Sequence, residues 1–186
     1  MKALIVVLIL LAAAPVEGAS LVLSNGEREQ ALALGERSII SESFDDEWRV
    51  KNDAGETALV LTPFHRMALA ARHAAFRNEP LKPADQEKLL KEQADRLIIW
   101  ANLRGTREDF ARFYAPRLLL GTREIAPAFV QNERTAVPAP NGGFVARCVY
   151  GFPTKELNGK ARVVLVVRDA DRRDVTRFAI DLAEMR

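Results

Sequence analysis

The chain has 186 residues and a formal net charge of +2, since 27 basic residues nearly balance 25 acidic ones. The basic residues are interleaved with acids and form no run along the sequence, which argues against nucleic acid as a partner. The single cysteine, Cys148, excludes an internal disulfide and a multi-cysteine metal site. It alternates in register with Ala146 and Tyr150, so we interpret it as a core residue rather than a reactive thiol.

The N-terminus has the order of a secretory signal peptide: Lys2, then an apolar run over residues 3–14, then small residues. The run is short for a membrane span, which takes about 20 apolar residues. We therefore assign residues 1–19 to a signal peptide and predict export to the periplasm or the medium, with no membrane span after cleavage. Cleavage after Gly18 suits the small-residue rule better than cleavage after Ala19, and an uncleaved anchor helix is the alternative.

The next part of the chain is predicted to hold an arm and a hairpin. Residues 20–43 are polar and mixed, and we predict an irregular arm there. Strands are predicted over residues 44–51 and 56–62. The residues between them, Asn52 to Gly55, form a turn by composition, so the two strands are expected to pair. The remaining chain, residues 44–186, is assigned to a single β-sandwich domain.

Two helices are predicted after the second strand. Thr62 and Pro63 suit the N-cap and the first helical position. Apolar residues then recur at helical spacing, namely Phe64, Met67, Ala68, Ala71 and Ala75. The histidines, His65 and His73, lie outside that stripe, so we place them facing solvent, about two turns apart and too distant to share a metal. The second helix is predicted from Pro83 to Ala94.

The rest of the chain is predicted to be strands joined by loops rich in Pro, Gly and Asn. These strands cover residues 97–103, 118–120, 125–137 (interrupted by Pro127) and 144–152. The last element is a hairpin with a Val-rich strand over 161–168, a polar turn, and an alternating strand over 174–182. We therefore predict a mainly β fold with a minor α part: an antiparallel immunoglobulin-like β-sandwich with two helices inserted after the second strand.

The sequence is poor in catalytic motifs. Every serine precedes the first predicted strand, and no Gly-x-Ser-x-Gly motif, HExxH motif or Gly-rich phosphate loop is present. The acidic trio at residues 45–47 and the acidic turn at residues 169–174 have some resemblance to cation sites, but a solvated strand start and an ordinary turn are the preferred interpretations. We assign no catalytic, cofactor or metal residues, expect no cofactor, and lean towards a protein that is not an enzyme.

One cluster is a candidate binding site. Phe110, Phe113 and Tyr114 lie close together in a chain with few aromatic residues. They either anchor a loop to the core, which we favour, or offer an aromatic surface to a partner. We predict an extracytoplasmic binding or assembly module without chemistry of its own, whose partner is another envelope protein. The alternatives are a carboxylate-dependent hydrolase of envelope or extracellular glycans, and a carrier of an apolar ligand.

Overall fold

The computed structural model describes residues 18–186, in which two antiparallel β-sheets are accompanied by three α-helices. The predicted signal peptide lies outside the described residues, except for Gly18 and Ala19. In chain order the elements are α1 (Asn25–Arg37), β1 (Arg49–Lys51), β2 (Thr57–Leu61), α2 (Pro63–Phe76), α3 (Pro83–Gln93), β3 (Arg96–Gly105), β4 (Ala115–Leu120), β5 (Arg123–Ile125), β6 (Phe129–Gln131), β7 (Val137–Pro138), β8 (Phe144–Pro153), β9 (Arg162–Arg168) and β10 (Asp174–Asp181). Within this range, none of the helices is long and apolar enough to cross a membrane.

The strands form two sheets. Sheet A has the order β1-β2-β3-β8-β6, with β7 also paired to β8, and sheet B has the order β10-β9-β4-β5. All pairs are antiparallel. The predictions of a mainly antiparallel β fold, of a β1–β2 hairpin and of two helices after the second strand are confirmed.

The closing hairpin has the predicted strands and the predicted buried face. Phe178 lies opposite Leu165, and Ile180 lies opposite Val163. These side chains and the alternate residues of sheet A that face the same interior belong to one hydrophobic cluster. Cys148 is buried there, which confirms its interpretation as a core residue. Burial raises the pKa of its thiol, so it stays protonated and unreactive at neutral pH.

The prediction of an irregular arm over residues 20–43 is wrong, because α1 occupies much of that segment. Ser24 and Glu27 form a capping box: the Ser24 N–H donates to Glu27 Oε2 at 2.7 Å, and the Glu27 N–H donates to Ser24 Oγ at 3.3 Å. Asn25 and Gly26 suggested a break in the sequence. They lie instead in the first turn, where the N–H groups lack helical partners in any case.

The helix α1 lies closely against α2. No side chain fits at Gly35, because a Cβ there would lie 2.7 Å from the Cβ of Ala71. Ala31, on the same side of α1, is fully buried. Arg72 donates a 2.8 Å hydrogen bond to the carbonyl of Ser41, which fixes the chain that leaves α1.

The prediction that His65 faces solvent is wrong, whereas His73 is exposed as predicted. The His65 ring lies against Trp48 and Phe44, with centroid distances of 4.6 and 5.6 Å. Of the predicted strand 44–51 only β1 is extended, because a short 3₁₀ turn precedes it and directs Trp48 into the core. These two aromatic rings cover a side of α2 that the helical period alone assigns to solvent.

Two polar contacts join distant parts of the chain. The carbonyl of Arg186 accepts hydrogen bonds from Trp48 Nε1 at 2.8 Å and from Thr62 Oγ1 at 2.5 Å. The guanidinium of Arg186 forms an ion pair with Glu47 at 2.6 Å. The end of the hairpin is thereby tied to the start of α2.

Glu56 makes the second long-range contact. It is buried, and it accepts hydrogen bonds from the Arg104 N–H at 2.8 Å, from Asn52 Nδ2 at 2.9 Å and from the Thr176 hydroxyl. This carboxylate links the β1–β2 hairpin to β10 in the other sheet.

The outer edge of β8 is covered in pieces. The strand β6 pairs with residues 149–151 and β7 with residues 144–145. Between them the Arg147 N–H donates to Glu133 Oε2 at 2.5 Å. A side-chain carboxylate therefore occupies the position that a neighbouring strand would otherwise fill.

Candidate functional site

The sequence-predicted aromatic residues lie together on the connection between β3 and β4, but they differ in packing and exposure. Phe110 covers Gly105, where its ring leaves no room for a Cβ, and it meets Tyr114 edge-on with centroids 5.7 Å apart. Both are half-buried. Phe113 is 67% exposed, and the Arg112 guanidinium lies 5.2 Å from its ring centroid. Only Phe113 therefore offers a free aromatic surface.

A cleft of about 300 Å³ separates this connection from the turn between β9 and β10. The charged groups along it already pair with one another. Arg107 lies 2.9 Å from Asp109, and Arg173 lies 2.7 Å from Asp171. A charged ligand here would have to replace ion pairs that already exist.

A second aromatic surface lies on the outer face of sheet A, and we name it the Trp100 face. Trp100 is 45% exposed although β3 has a neighbouring strand on each side. The register places Leu59 and Val149 directly beside it on β2 and β8, both half-buried. The three side chains form an apolar row about 10 Å wide, since neighbouring strands lie about 4.8 Å apart.

Polar residues frame that row. Arg49 lies beyond Leu59 on β1, and the adjacent row carries Asn102 and Arg147. Asn102 Nδ2 donates a 3.1 Å hydrogen bond to Thr57 Oγ1. These residues and Trp100 line an open cleft of about 450 Å³. The site thus combines a flat apolar floor with a few convergent polar groups, the usual composition of binding sites.

The Trp100 face is strongly biased towards positive charge. Side chains in a strand alternate between the two faces, so the register defines which residues share the outer face. The outward positions of β1, β2, β3 and β8 include no acidic residue, and the cationic residues there are Arg49, Lys51, Arg96, Arg104 and Arg147. Within the described chain, the Arg147 guanidinium has no ion-pair partner, whereas Arg49 lies 3.3 Å from Asp45.

Asp45 is the one acidic group on the wall of this cleft. His65 Nε2 donates a 2.9 Å hydrogen bond to Asp45 Oδ1. This hydrogen bond, helped by the charges of His65, Arg49 and Arg72, holds the pKa of Asp45 below its ordinary value despite partial burial. Asp45 is therefore a fixed hydrogen-bond acceptor beside the apolar row.

The titration behaviour of the carboxyl groups bears on the hydrolase alternative. In the described part of the chain, the carboxyl groups with a shifted pKa are all shifted downwards, namely Glu27, Asp45, Glu124, Asp169 and Asp174. A general acid needs the opposite shift.

The clefts at Phe113 and Trp100 are open to solvent, whereas an apolar carrier requires an enclosed cavity.

The acidic groups considered as cation ligands bind other groups instead. Asp45 contacts His65, Glu47 contacts Arg186, and Asp169 contacts Arg173 at 2.8 Å. Among the described residues, no group of three or more His, Cys, Asp or Glu side chains is placed to hold a metal ion.

Sequence reasoning missed the Trp100 face, although one signal for it was present. Leu97, Ile99, Ala101 and Leu103 alternate through β3 and point inwards, which leaves Trp100 on the opposite face. The charge of the face had no such signal, because its cations come from separate strands that only the register brings together.

Comparisons with known proteins add little to this description. No family model matches the sequence, and no curated protein matches it. A solved structure of a novel protein of unknown function from Burkholderia pseudomallei aligns with 89% of this chain and 96% of its own length, at 8% identity and a TM-score of 0.43. That similarity is too low to show a shared fold.

Proposed function

We propose that this protein is an exported binding module that holds an acidic segment of another envelope protein on the Trp100 face. The observation that carries the proposal is the exposure of Trp100 in the middle of a sheet, between apolar neighbours. Tryptophan is enriched among the residues that contribute most to binding energy at protein interfaces, because a partner can remove a large rigid ring from water at little entropic cost.

The charge of the face supports an acidic partner. Arg147 lies beside Trp100 without an ion-pair partner in the described chain, so an extended segment can place a carboxylate on it while an apolar residue covers the indole. On the other side of Trp100, Arg49 lies 3.3 Å from Asp45, and a second carboxylate there would have to share or displace that ion pair. Nucleic acid would also meet positive charge here, but the N-terminal leader directs the protein out of the cytoplasm, and the net charge of the whole chain is only +2. An acidic protein segment is the partner that fits both the proposed export and this net charge.

The remaining parts of the proposal concern architecture and location. We infer that the two sheets face each other as an immunoglobulin-like sandwich, an arrangement supported by the single hydrophobic cluster that their inner faces share. Periplasmic or extracellular location is supported by the order of charge, apolar run and small residues at the N-terminus. Such a fold leaves the part of the outer face around Trp100 free for a partner, while Leu61 and Ile98 further along the same face are buried.

Binding is tested by titration of the purified protein with three defined probes: a synthetic peptide of alternating Glu and Leu, its Lys and Leu counterpart, and a single-stranded DNA oligonucleotide. Trp48 is buried, so a change in tryptophan fluorescence on binding reports on Trp100. We expect the acidic peptide to bind and the basic peptide not to bind. The affinity should weaken as salt rises from about 50 to 300 mM, because exposed charges are screened over shorter distances.

Two variants locate the contact, and their binding is followed by isothermal titration calorimetry because Trp100→Ala removes the fluorescent reporter. Trp100→Ala should weaken binding of the acidic peptide about 30-fold, the effect of an interface hot spot. Phe113→Ala is the matched control, because it removes an even more exposed aromatic ring at the sequence-predicted site and should leave binding unchanged. Tighter binding of the oligonucleotide than of the acidic peptide, no binding of the acidic peptide, or greater sensitivity to the Phe113 variant would each refute the assignment.

A further inference from the structure

The chain is firmly held from Ala19 onwards. Ala19 is 2% exposed, and its backbone nitrogen lies 3.0 Å from the carbonyl oxygen of Gly159 and 2.8 Å from that of Leu182. These carbonyls come from the loop before β9 and from the turn after β10, so two distant segments converge on one nitrogen. A peptide nitrogen has a single hydrogen, which must be shared between the two acceptors.

The same segment fits against Gly159 without space for a side chain. A Cβ on Gly159 would collide with the carbonyl oxygen of Ala19 and would lie 3.0 Å from its carbonyl carbon. Leu23, four residues further on, is also buried in the core. We name the contacts of Ala19 with Gly159 and Leu182 the Ala19 seat. The seat shows that Ala19 belongs to the folded body of the protein.

We infer that the leader is removed between Gly18 and Ala19 and that the new α-amino group of Ala19 occupies this seat. The inference rests on export, which is part of the proposed function. An export peptidase would hydrolyse the Gly18–Ala19 bond: water adds across it, Gly18 leaves with a carboxylate, and Ala19 keeps an ammonium group. An ammonium group has three hydrogens, so each of the two carbonyls receives its own donor and the third hydrogen faces the space that Gly18 leaves.

Cleavage one residue later does not fit the structure. It would remove the Ala19 nitrogen and with it the hydrogen bonds to the carbonyls of Gly159 and Leu182, at a cost of roughly a lost hydrogen bond each. The Gly159 carbonyl would then have no donor among the described residues, and the Leu182 carbonyl would keep only the 3.3 Å hydrogen bond from the Met185 N–H. The sequence agrees, since cleavage after Gly18 suits the small-residue rule better. On this inference the signal peptide covers residues 1–18, one residue fewer than the 1–19 assignment made from the sequence.

The first experiment reads the mature N-terminus directly. The full chain is expressed without a tag in a bacterial host, recovered from the envelope or medium fraction, and its N-terminus is determined by mass spectrometry. We expect the exported protein to begin at Ala19. A protein that begins at Ser20, or that keeps residues 1–18, would overturn the inference.

The second experiment tests the seat on purified chains that begin at Ala19 or at Ser20, each released from a removable N-terminal fusion. The chain that begins at Ser20 should have a folding equilibrium constant about 30-fold lower than the chain that begins at Ala19, because two hydrogen bonds are lost. Gly159→Ala should lower that constant about tenfold in the Ala19 chain but hardly in the Ser20 chain, where the clashing carbonyl is gone. Equal effects of Gly159→Ala in the two chains would show that Ala19 is not seated there.

These outcomes are separate from those of the peptide titration. Loss of peptide binding with an N-terminus at Ala19 would refute the binding proposal alone. Peptide binding by a protein that keeps its leader would refute the cleavage inference alone.

Discussion

Replacement of glycine by alanine at two positions of α1 should have opposite effects on stability, because only one of the two positions lies in the contact with α2. In a helix interior, alanine is favoured over glycine by about 1 kcal/mol. At Gly26 nothing lies within 4 Å of a new Cβ, so Gly26→Ala should stabilise the protein by about 0.5 kcal/mol. At Gly35 the new Cβ would lie 2.8 Å from the Arg72 nitrogen and closer still to the Ala68 carbonyl. Because backbone cannot move aside cheaply, Gly35→Ala should cost about 2 kcal/mol despite the better propensity.

Urea denaturation of the two variants and the parent protein measures both effects. We expect the midpoints to move in opposite directions, with a separation in free energy of unfolding of about 2.5 kcal/mol, or about 70-fold in the equilibrium constant. Unchanged slopes would show that stability alone has changed. If Gly35→Ala were as stabilising as Gly26→Ala, the close approach of α1 to α2 would be refuted, and with it the assignment of residues 25–37 to the folded body.

Two further predictions concern buried and half-buried carboxylates. Glu56→Ala should lower the free energy of unfolding by about 2–4 kcal/mol, because three hydrogen bonds to a buried carboxylate are lost. The control Asp53→Ala, in the same turn, should change it by less than about 0.5 kcal/mol. Urea denaturation measures both variants, and equal costs would contradict the role of Glu56. The pKa of Asp45 is lowered from its ordinary value of 3.8, so its contribution is present above that pH and is lost as the pH falls below it. Asp45→Asn should therefore flatten the decline of stability with acid, and urea midpoints with the same pH dependence in both proteins would show that the hydrogen bond from His65 has no such effect.

The strands and two of the helices could be predicted from the sequence because their signals are local. Alternation in β10 and the Thr62–Pro63 start of α2 each depend on a few neighbouring residues. The helix α1 also had a local signal, the capping box of Ser24 and Glu27, but its polar composition concealed it. Its apolar contact with α2 is made through Gly35 and Ala31, which are too small to show an apolar stripe.

The candidate site could not be predicted as a whole, because its parts are distant in sequence. The period of α2 places His65 outside the apolar stripe, and only the fold reveals that Trp48 and Phe44 cover it. Phe113 and Trp100 are both exposed aromatic residues, and the sequence draws attention to the first because other aromatic residues lie beside it. What separates them is their charged neighbours, since those near Phe113 are already paired and Arg147 beside Trp100 is not.

The way in which the outer edge of β8 is covered has a consequence for solubility. A long, flat, unpaired strand edge is a template on which a second molecule can add its own strand, which is how many β-proteins aggregate. In the described chain, the outer edge of β8 meets only the short strands β6 and β7, and the carboxylate of Glu133 takes the Arg147 N–H between them. An incoming strand would find that donor occupied and a negative charge in its path. The face that carries Trp100 can thus stay open to a partner while the adjoining edge is protected against self-association.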